Sequence, residues 1–338
     1  MPGLLASYEN VHERGVRDLA AARTPLAPFL ADPGAIRYGR ATIGTVPAAS
    51  WIRRSAPSNR AQWDATVDEA LDAQRQLQPG GVIIPTVDLT AGAYPNGMQR
   101  AVDAARRAAQ RLQRTDPEAL VRVIVRQEWV DDGTMRRVLL DQLTDLPDDL
   151  GIALQIRWAR RSLLADANTL NSLKGTVRPL AADGRRVLLV QSGLLGWLSL
   201  AWGVWGFTAG LSAASWHDTT EQVRRRAGQP SVPRVPRYFA APLLTLLTRQ
   251  DLGRVGAHAG TCGCTFCTQL NPTGGGAWDH RWAGQHGLYA LAELTDAVRG
   301  SQSGRPARIQ AVIQAAQQRW SATGQREPGH LQAWIDAL

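Results

Sequence analysis

Short apolar runs rich in β-branched residues recur along the chain and alternate with segments of helical spacing. Such runs are typical of strands. The predicted strands are Arg40–Pro47, Gly81–Leu89, Val121–Trp129, Ile152–Trp158, Arg186–Gly193, Trp205–Ser212 and Arg237–Leu244. Ala35–Tyr38 is predicted to form an eighth strand or to extend the first.

The segments between these runs carry apolar residues on one helical face. One such set is Trp63, Val67, Ala70, Leu71 and Leu77, and a more regular one is Met98, Val102, Ala105, Ala109 and Leu112. Strands that alternate with helices indicate parallel βαβ units. Seven or eight units favour a (β/α)₈ TIM barrel, with an open doubly wound sheet as the alternative.

The pattern changes after Leu247, where further helices are predicted near 285–299, 307–321 and 330–338. We therefore expect a barrel over residues 1–250 and a metal-binding helical subdomain over 251–338. No secretory leader is predicted, because the first residues lack a sustained apolar core.

One uncharged run, Val187–Trp216, is long enough to span a bilayer. Its glycines, its serines and Gln191 favour a strand–helix–strand unit in a soluble core instead. The run contains four tryptophans, at positions 197, 202, 205 and 216. They are interpreted mainly as residues that fill an interface between the barrel and a helix, with stacking on a flipped base as the alternative.

The charge of the chain predicts a polyanionic partner. The formal net charge is +9 and most positive residues are arginines, whose planar guanidinium matches phosphate oxygens. Arginines cluster before the cysteines, at positions 224, 225, 226, 234, 237 and 249. They are interpreted as a nucleic-acid contact or as a solvated, arginine-rich surface.

All three cysteines of the chain lie within six residues: Cys262, Cys264 and Cys267. Three clustered thiols cannot form a closed disulfide framework, which indicates a reducing compartment, and we expect the cytoplasm. Soft thiolates with a histidine are the ligands that Zn²⁺ prefers. His286 is the predicted fourth ligand, with His280 and His258 as competitors.

The Cys-x-Cys-x-x-Cys motif, followed by a helix-borne histidine in "HGLYALAEL", resembles the tRNA-guanine transglycosylases and their DNA-modifying relatives. The stretch "GVIIPTVDLTAGAYPNGMQRAVDAARRAAQRL" and the following "VRVIVRQ" are similar to the family's passage from its fourth to its fifth strand. The resemblance implies a barrel, a structural zinc ion, and Asp88 and Gln127 as ligands of a purine edge.

Two positions depart from the family's pattern. Thr208 stands where the resemblance places the nucleophilic aspartate, and Gly44 or Thr45 stands where it places the acid/base aspartate. Asp218 and Glu128 are the substitute catalytic candidates, with Asp131 and Asp132 close to Glu128. Asp218 is equally well interpreted as a helix cap.

Three functions follow as expectations. The first is a pentosyltransferase that exchanges a guanine in tRNA or DNA for a 7-deazaguanine-type base. The second is a non-catalytic zinc-containing protein of the same fold, acting as a homodimer or heterodimer subunit or as a nucleobase binder. The third is a barrel enzyme that acts on a free nucleoside or small glycoside. No membrane association is expected.

Overall fold

The computed structural model describes residues 4–7, 29–32, 42–43, 46–47, 60–77, 80–86, 96–113, 116, 118–158, 166–210, 235–260, 262–270 and 279–338. These residues belong to two compact units. The first unit takes in Met1–Arg157 and Pro179–Leu189, and the second takes in Trp158–Arg178 and Val190–Leu338.

Six strands of the first unit pair side by side in parallel, in the order in which they follow along the chain. They are β1 (Leu4–Ser7), β2 (Phe29–Asp32), β5 (Gly81–Ile84), β6 (Ala119–Arg126), β7 (Gly151–Arg157) and β8 (Val187–Leu189). The parallel α/β layout is therefore confirmed. No pairing within the described part of this unit joins β8 back to β1, and closure into a barrel stays a prediction.

Four of these strands follow the apolar runs of the sequence closely. Every residue of β5 and β8 is buried, and β6 and β7 are buried except at their last residue. A parallel strand covered on both faces is apolar at consecutive positions, which is why the runs predict it.

The strand predicted over Arg40–Pro47 is wrong as a single strand. The chain forms an antiparallel pair there, β3 (Thr42–Ile43) and β4 (Val46–Pro47). Gly44 and Thr45, which separate the two strands in the sequence, lie outside the described residues. The predicted strand at Ala35–Tyr38 lies outside the described residues.

Helices of the first unit bury most of the apolar positions that the spacing indicated, whereas Leu77, Ala109 and Leu112 are only half-buried. Helix α1 (Arg60–Arg75) buries residues at positions 63, 66, 67, 70, 71 and 74, and α2 (Asn96–Ala109) buries residues 102, 104, 105 and 108. Two further helices, α3 (Glu128–Asp131) and α4 (Gly133–Thr144), follow β6 directly.

The second unit is mostly helical. Its helices are α5 (Ala167–Ala182), which spans the boundary between the units, α6 (Gly193–Ser199), α7 (Arg249–Val255), α8 (Thr265–Leu270), α9 (His280–Ala297), α10 (Arg305–Ala322) and α11 (Gly329–Ala337). Its strands are β9 (Gly206–Phe207) and an antiparallel pair, β10 (Tyr238–Ala240) and β11 (Thr245–Leu247). The helices predicted at the C-terminal end are confirmed.

The uncharged run from 187 to 216 forms β8, α6 and β9 within its described part, as predicted. Of the four tryptophans in this run, Trp197 and Trp202 are buried, Trp205 is 51% exposed, and Trp216 lies outside the described residues. A buried indole N–H needs an acceptor. Trp197 donates to the carbonyl of Leu294 at 3.4 Å, and Trp202 donates to that of Ala337 at 3.3 Å. Among the helices in the described part of the chain, none combines the length and apolar character needed to cross a bilayer.

Candidate metal centre

The three cysteines lie at the start of a short helix, so that one turn of chain presents all of them. Cys262 and Cys264 precede α8, and Cys267 lies within its first turn. The backbone N–H of Cys264 donates to Cys262 Sγ at 3.5 Å, and that of Cys267 donates to Cys264 Sγ at 3.3 Å. The hydrogen bond to Cys262 Sγ favours the ionised form of that thiol.

His286 comes to the same point from helix α9. The Asp279 side chain caps this helix by accepting a hydrogen bond from the Trp282 N–H at 2.7 Å. His286 is only 3% exposed. Its Nδ1 lies 3.3 Å from Cys267 Sγ and 3.5 Å from Cys264 Sγ.

The spacing of the four potential ligand atoms is compatible with a single metal ion. Bond lengths of about 2.3 Å to sulfur and 2.1 Å to nitrogen place two sulfurs about 3.8 Å apart, and a sulfur and a nitrogen about 3.6 Å apart. All four atoms lie within 4.8 Å of one another. The Cys262, Cys264, Cys267 and His286 group can therefore hold a metal ion.

Two residues of β10 fix the orientation of the imidazole. His286 Nε2–H donates to the carbonyl oxygen of Phe239 at 2.9 Å, which leaves the Nδ1 lone pair for a metal. The Tyr238 ring stacks on the imidazole with the ring centres 4.1 Å apart and the planes 9° apart. The Tyr238 hydroxyl lies 3.7 Å from Cys267 Sγ.

Burial controls the ionisation of the cluster. It raises the pKa of the Cys262 and Cys267 thiols above the ordinary value, and it lowers the pKa of His286. The raised thiol pKa values mean that several thiolates in this small space are unfavourable without a compensating cation. Binding of a divalent ion therefore displaces protons from the sulfurs.

The three cysteines are free thiols, with Cys264 buried and the other two half-buried. Among the described residues, the metal-binding group includes His286 and leaves out His258, which lies in a 3₁₀ turn after α7. His280 is the first residue of α9, and its side chain lies outside the described part of the chain. The histidine that completes the group is the one that the sequence favoured.

Gln127 lies directly after β6. Its backbone N–H donates to the carbonyl of Arg157 at 2.9 Å, and its side-chain amide donates to Asp131 Oδ2 at 2.7 Å. Its partner in the predicted purine pocket, Asp88, lies outside the described residues. Base binding by this pair stays a prediction.

The acidic residues after Gln127 differ in their roles. Glu128 is exposed at the start of α3. Asp132 caps α4 by accepting hydrogen bonds from the N–H groups of Thr134 and Met135, at 2.9 and 2.8 Å. Glu128 thus remains a catalytic candidate, whereas Asp132 has a clear structural role. Asp218, the other predicted catalytic residue, lies outside the described residues.

Thr208 accepts hydrogen bonds from the backbone of a tight turn that contains Gln191. Its Oγ1 accepts a hydrogen bond from the Gln191 N–H at 2.8 Å. Its carbonyl accepts from the N–H groups of Ser192 and Gly193, at 2.9 and 3.2 Å. Gln191 is held in the left-handed region at φ 51°, a conformation that a non-glycine residue adopts only when its neighbours enforce it. The Thr208 hydroxyl therefore stabilises the backbone of the Gln191 turn.

The sequence did not predict that Tyr238 and Phe239 support the metal-binding group. They lie in the apolar run "RYFAAPLL", where an aromatic pair indicates only a buried strand. Their role depends on the meeting of β10 with α9, and the local pattern carries no signal of that contact.

Comparison with known proteins finds no protein family whose pattern matches this sequence, and no curated protein that matches it.

Proposed function

We propose that this protein resembles the tRNA-guanine transglycosylases in fold and ligand, and that it recognises a guanine or 7-deazaguanine-type base in tRNA or DNA. The observation that carries the proposal is the meeting of the Cys-x-Cys-x-x-Cys motif with His286. The proposal combines a (β/α)₈ barrel over residues 1–250 with a metal-binding subdomain over 251–338. It includes a cytoplasmic location, because the clustered free thiols suit a reducing compartment.

The metal in this proposal is Zn²⁺. Three sulfurs and one imidazole form a soft, tetrahedral ligand set, and zinc is the common occupant of such sets. Four protein ligands leave no coordination position for substrate, so the ion has a structural role. It would tie α8 to α9 and to the β10 strand that contacts His286.

The base would bind at the carboxyl ends of the parallel strands, which is where barrels place their ligands. Gln127 lies at this edge after β6, and its carboxamide can both donate to and accept from a purine edge. Asp88, which follows β5 in the sequence, would accept hydrogen bonds from an amino-pyrimidinone edge. Exchange of the base would then require a carboxylate nucleophile, for which Glu128 and Asp218 are the candidates.

A non-catalytic role is the second proposal, and one observation favours it. The residue at the expected nucleophile position, Thr208, uses its hydroxyl to accept a backbone hydrogen bond. Such a protein would bind the base or nucleic acid without forming a covalent intermediate, either alone or as a subunit of a homodimer or heterodimer.

Labelled guanine separates the two proposals. The full-length protein is incubated with tRNA or duplex DNA and labelled guanine or 7-deazaguanine, and incorporation of label is measured. Incorporation that is lost in Glu128→Gln or Asp218→Asn supports the enzyme. Binding of the base without incorporation, abolished by Asp88→Ala, supports the non-catalytic protein. Absence of both binding and incorporation contradicts both.

A further inference from the structure

The members of the metal-binding group differ in their access to solvent. Cys264 is 2% exposed and His286 is 3% exposed, whereas Cys262 and Cys267 are half-buried. Oxidation of a cysteine follows its thiolate character and its exposure. A molecule as small as hydrogen peroxide can therefore attack the sulfurs of Cys262 and Cys267, while the sulfur of Cys264 is sealed from it.

The two accessible sulfurs are close enough to join. All ligand atoms of the group lie within 4.8 Å of one another, and a disulfide bond is about 2.05 Å long, so the two sulfurs must approach by less than about 3 Å. The chain beside Cys262 has room for this movement. Gly263 is exposed, and no heavy atom beyond its chain neighbours lies within 4 Å of the place where a Cβ atom would be.

The number of cysteines limits what oxidation can produce. The chain contains only Cys262, Cys264 and Cys267, so an oxidised Cys262 finds its partner thiol within the same cluster. A bond between two of them leaves one thiol. In a reducing compartment, disulfides are transient and typically serve catalysis or redox sensing.

We propose that the cysteine cluster is a redox switch, in which hydrogen peroxide joins Cys262 to Cys267 and thereby releases the bound metal ion. One thiolate attacks a peroxide oxygen, the O–O bond breaks, and the sulfur becomes a sulfenic acid. The second thiolate then displaces hydroxide from that sulfur and forms the disulfide. In balance, two thiolates, one hydrogen peroxide and two protons give one disulfide and two water molecules.

Oxidation removes two of the four ligands. Cys264 and His286 alone cannot complete the tetrahedral set of a structural zinc site, so the ion leaves. The ion ties α8 to α9 in the proposed function, and its release detaches α8. Because metal binding contributes to folding, the melting temperature falls on oxidation. This regulation rests on the metal ion of the proposed function, but not on recognition of a base.

Zinc-loaded full-length protein tests the switch. Hydrogen peroxide is added in small excess, released zinc is measured with a chromogenic chelator, and free thiols are counted by alkylation and mass spectrometry. We expect the zinc to be released, the free thiols to fall from three to one, and a dithiol reductant to restore all three. Zinc release with irreversible conversion of the thiols to sulfinic acids overturns the proposal.

The position of the disulfide is a sharper test. Phe266 lies between Cys264 and Cys267, so cleavage after Phe266 separates Cys267 from the other two cysteines. Two peptides joined by a disulfide, with the alkyl label on Cys264, identify the bond between Cys262 and Cys267. A disulfide that includes Cys264 overturns the proposal.

Two variants form a matched pair for this test. Cys264→His and Cys262→His each keep four potential ligands, because histidine also binds zinc, and each leaves two thiols. Peroxide should join the two thiols of Cys264→His and leave those of Cys262→His free. The reverse result contradicts the proposal. The disulfide map of the wild type requires neither variant, so the test stands even where a variant fails to fold.

Zinc content separates the switch from the proposed function. A full-length protein that binds no zinc contradicts the metal of the proposed function and the switch together. A protein that keeps its zinc and three free thiols in peroxide contradicts the switch alone. Zinc release with the disulfide between Cys262 and Cys267, in a protein that binds no guanine-type base, supports the switch and contradicts base recognition alone.

Discussion

The backbone carbonyl of Phe239 accepts a hydrogen bond from His286 Nε2–H at 2.9 Å, and this contact decides which ring nitrogen faces the cysteines. A nitrogen that bonds to a carbonyl must carry the proton, so the neutral ring keeps its lone pair on Nδ1. Two sulfurs lie 3.3 and 3.5 Å from that atom. Phe239, a strand residue outside the cysteine segment, therefore leaves the His286 Nδ1 lone pair available as the fourth ligand.

Replacement of His286 should remove the metal. We expect His286→Ala to weaken zinc binding by about 100-fold or more, because loss of a ligand exceeds the 10- to 100-fold cost of losing a supporting contact. The melting temperature should fall as well, since metal binding contributes to folding. Elemental analysis after dialysis against a chelator measures the first effect.

His258→Ala is the matched control for this variant. His258 lies close in sequence, in the turn after α7, and is not part of the metal-binding group. The His258→Ala protein should retain one equivalent of zinc. Equal zinc content in the His286→Ala and His258→Ala proteins would contradict the ligand assignment.

The ring of Tyr238 should matter more than its hydroxyl. The ring stacks on His286 at 4.1 Å, whereas the hydroxyl lies 3.7 Å from Cys267 Sγ. We expect Tyr238→Phe to bind zinc within about threefold of the wild type, and Tyr238→Ala to bind it 10- to 100-fold more weakly. Competition with a chromogenic chelator gives both affinities. A loss in Tyr238→Phe as large as that in Tyr238→Ala would assign the effect to the hydroxyl.

The sequence predicted the strands that are buried on both faces, and it failed where a turn interrupts an apolar run. Continuous apolar residues define β5 to β8 because both faces of those strands are covered. The run Arg237–Leu244 was predicted as one strand, but β10 ends at Ala240 and a 3₁₀ turn follows. Leu244 then adopts φ 49°. Leucine rarely adopts this conformation, and tertiary packing imposes it.

The metal-binding group was more predictable than its surroundings. The spacing of the three cysteines brings them onto one turn of chain, and any nearby helix-borne histidine is then a candidate ligand. The contacts that support His286 come from β10, 47 residues before it in the case of Phe239. The cross-strand pairing of Arg126 with Arg157 was likewise hidden, because it depends on the register between β6 and β7.

Lowering the pH should destabilise the folded protein because the His330 side chain is buried in its neutral form. Its Nε2–H donates to the carbonyl of Leu244 at 3.1 Å, and its ring packs on Trp334. Burial lowers the pKa of His330 below the ordinary value of 6.5. Below pH 6.5 the unfolded chain therefore binds a proton that the folded chain resists, so the free energy of unfolding falls as the pH decreases.

Urea denaturation at pH 7, 6 and 5 measures this dependence. Glutamine can still donate to Leu244 but does not titrate, so His330→Gln should lose less stability between pH 7 and pH 5 than the wild type. A His330→Gln slope equal to that of the wild type would exclude His330 as the source.

The ion pair between Arg75 and Asp116 should stabilise the first unit more than the exposed pair between Arg111 and Asp68. Arg75 Nε and Nη2 donate to the two oxygens of Asp116 at 2.8 and 2.7 Å, and the Asp116 side chain is only 4% exposed. Asp116→Asn should lower the free energy of unfolding by about 1–3 kcal/mol at pH 7. Asp68→Asn should cost less than about 1 kcal/mol, because the Asp68 side chain is 35% exposed and that of Arg111 is 41% exposed.

The pH dependence of this difference is a further check. The Arg75 guanidinium holds the pKa of Asp116 below its ordinary value of 3.8, so the stability from the pair is complete above that value and is lost as the pH falls through the lowered pKa. The gap between the wild type and Asp116→Asn should therefore shrink in strong acid. Chemical denaturation of the wild type and both variants at pH 7 and in acid gives the comparison. A gap for Asp116→Asn no larger than that for Asp68→Asn at pH 7 would show that burial adds nothing to the Arg75 pair.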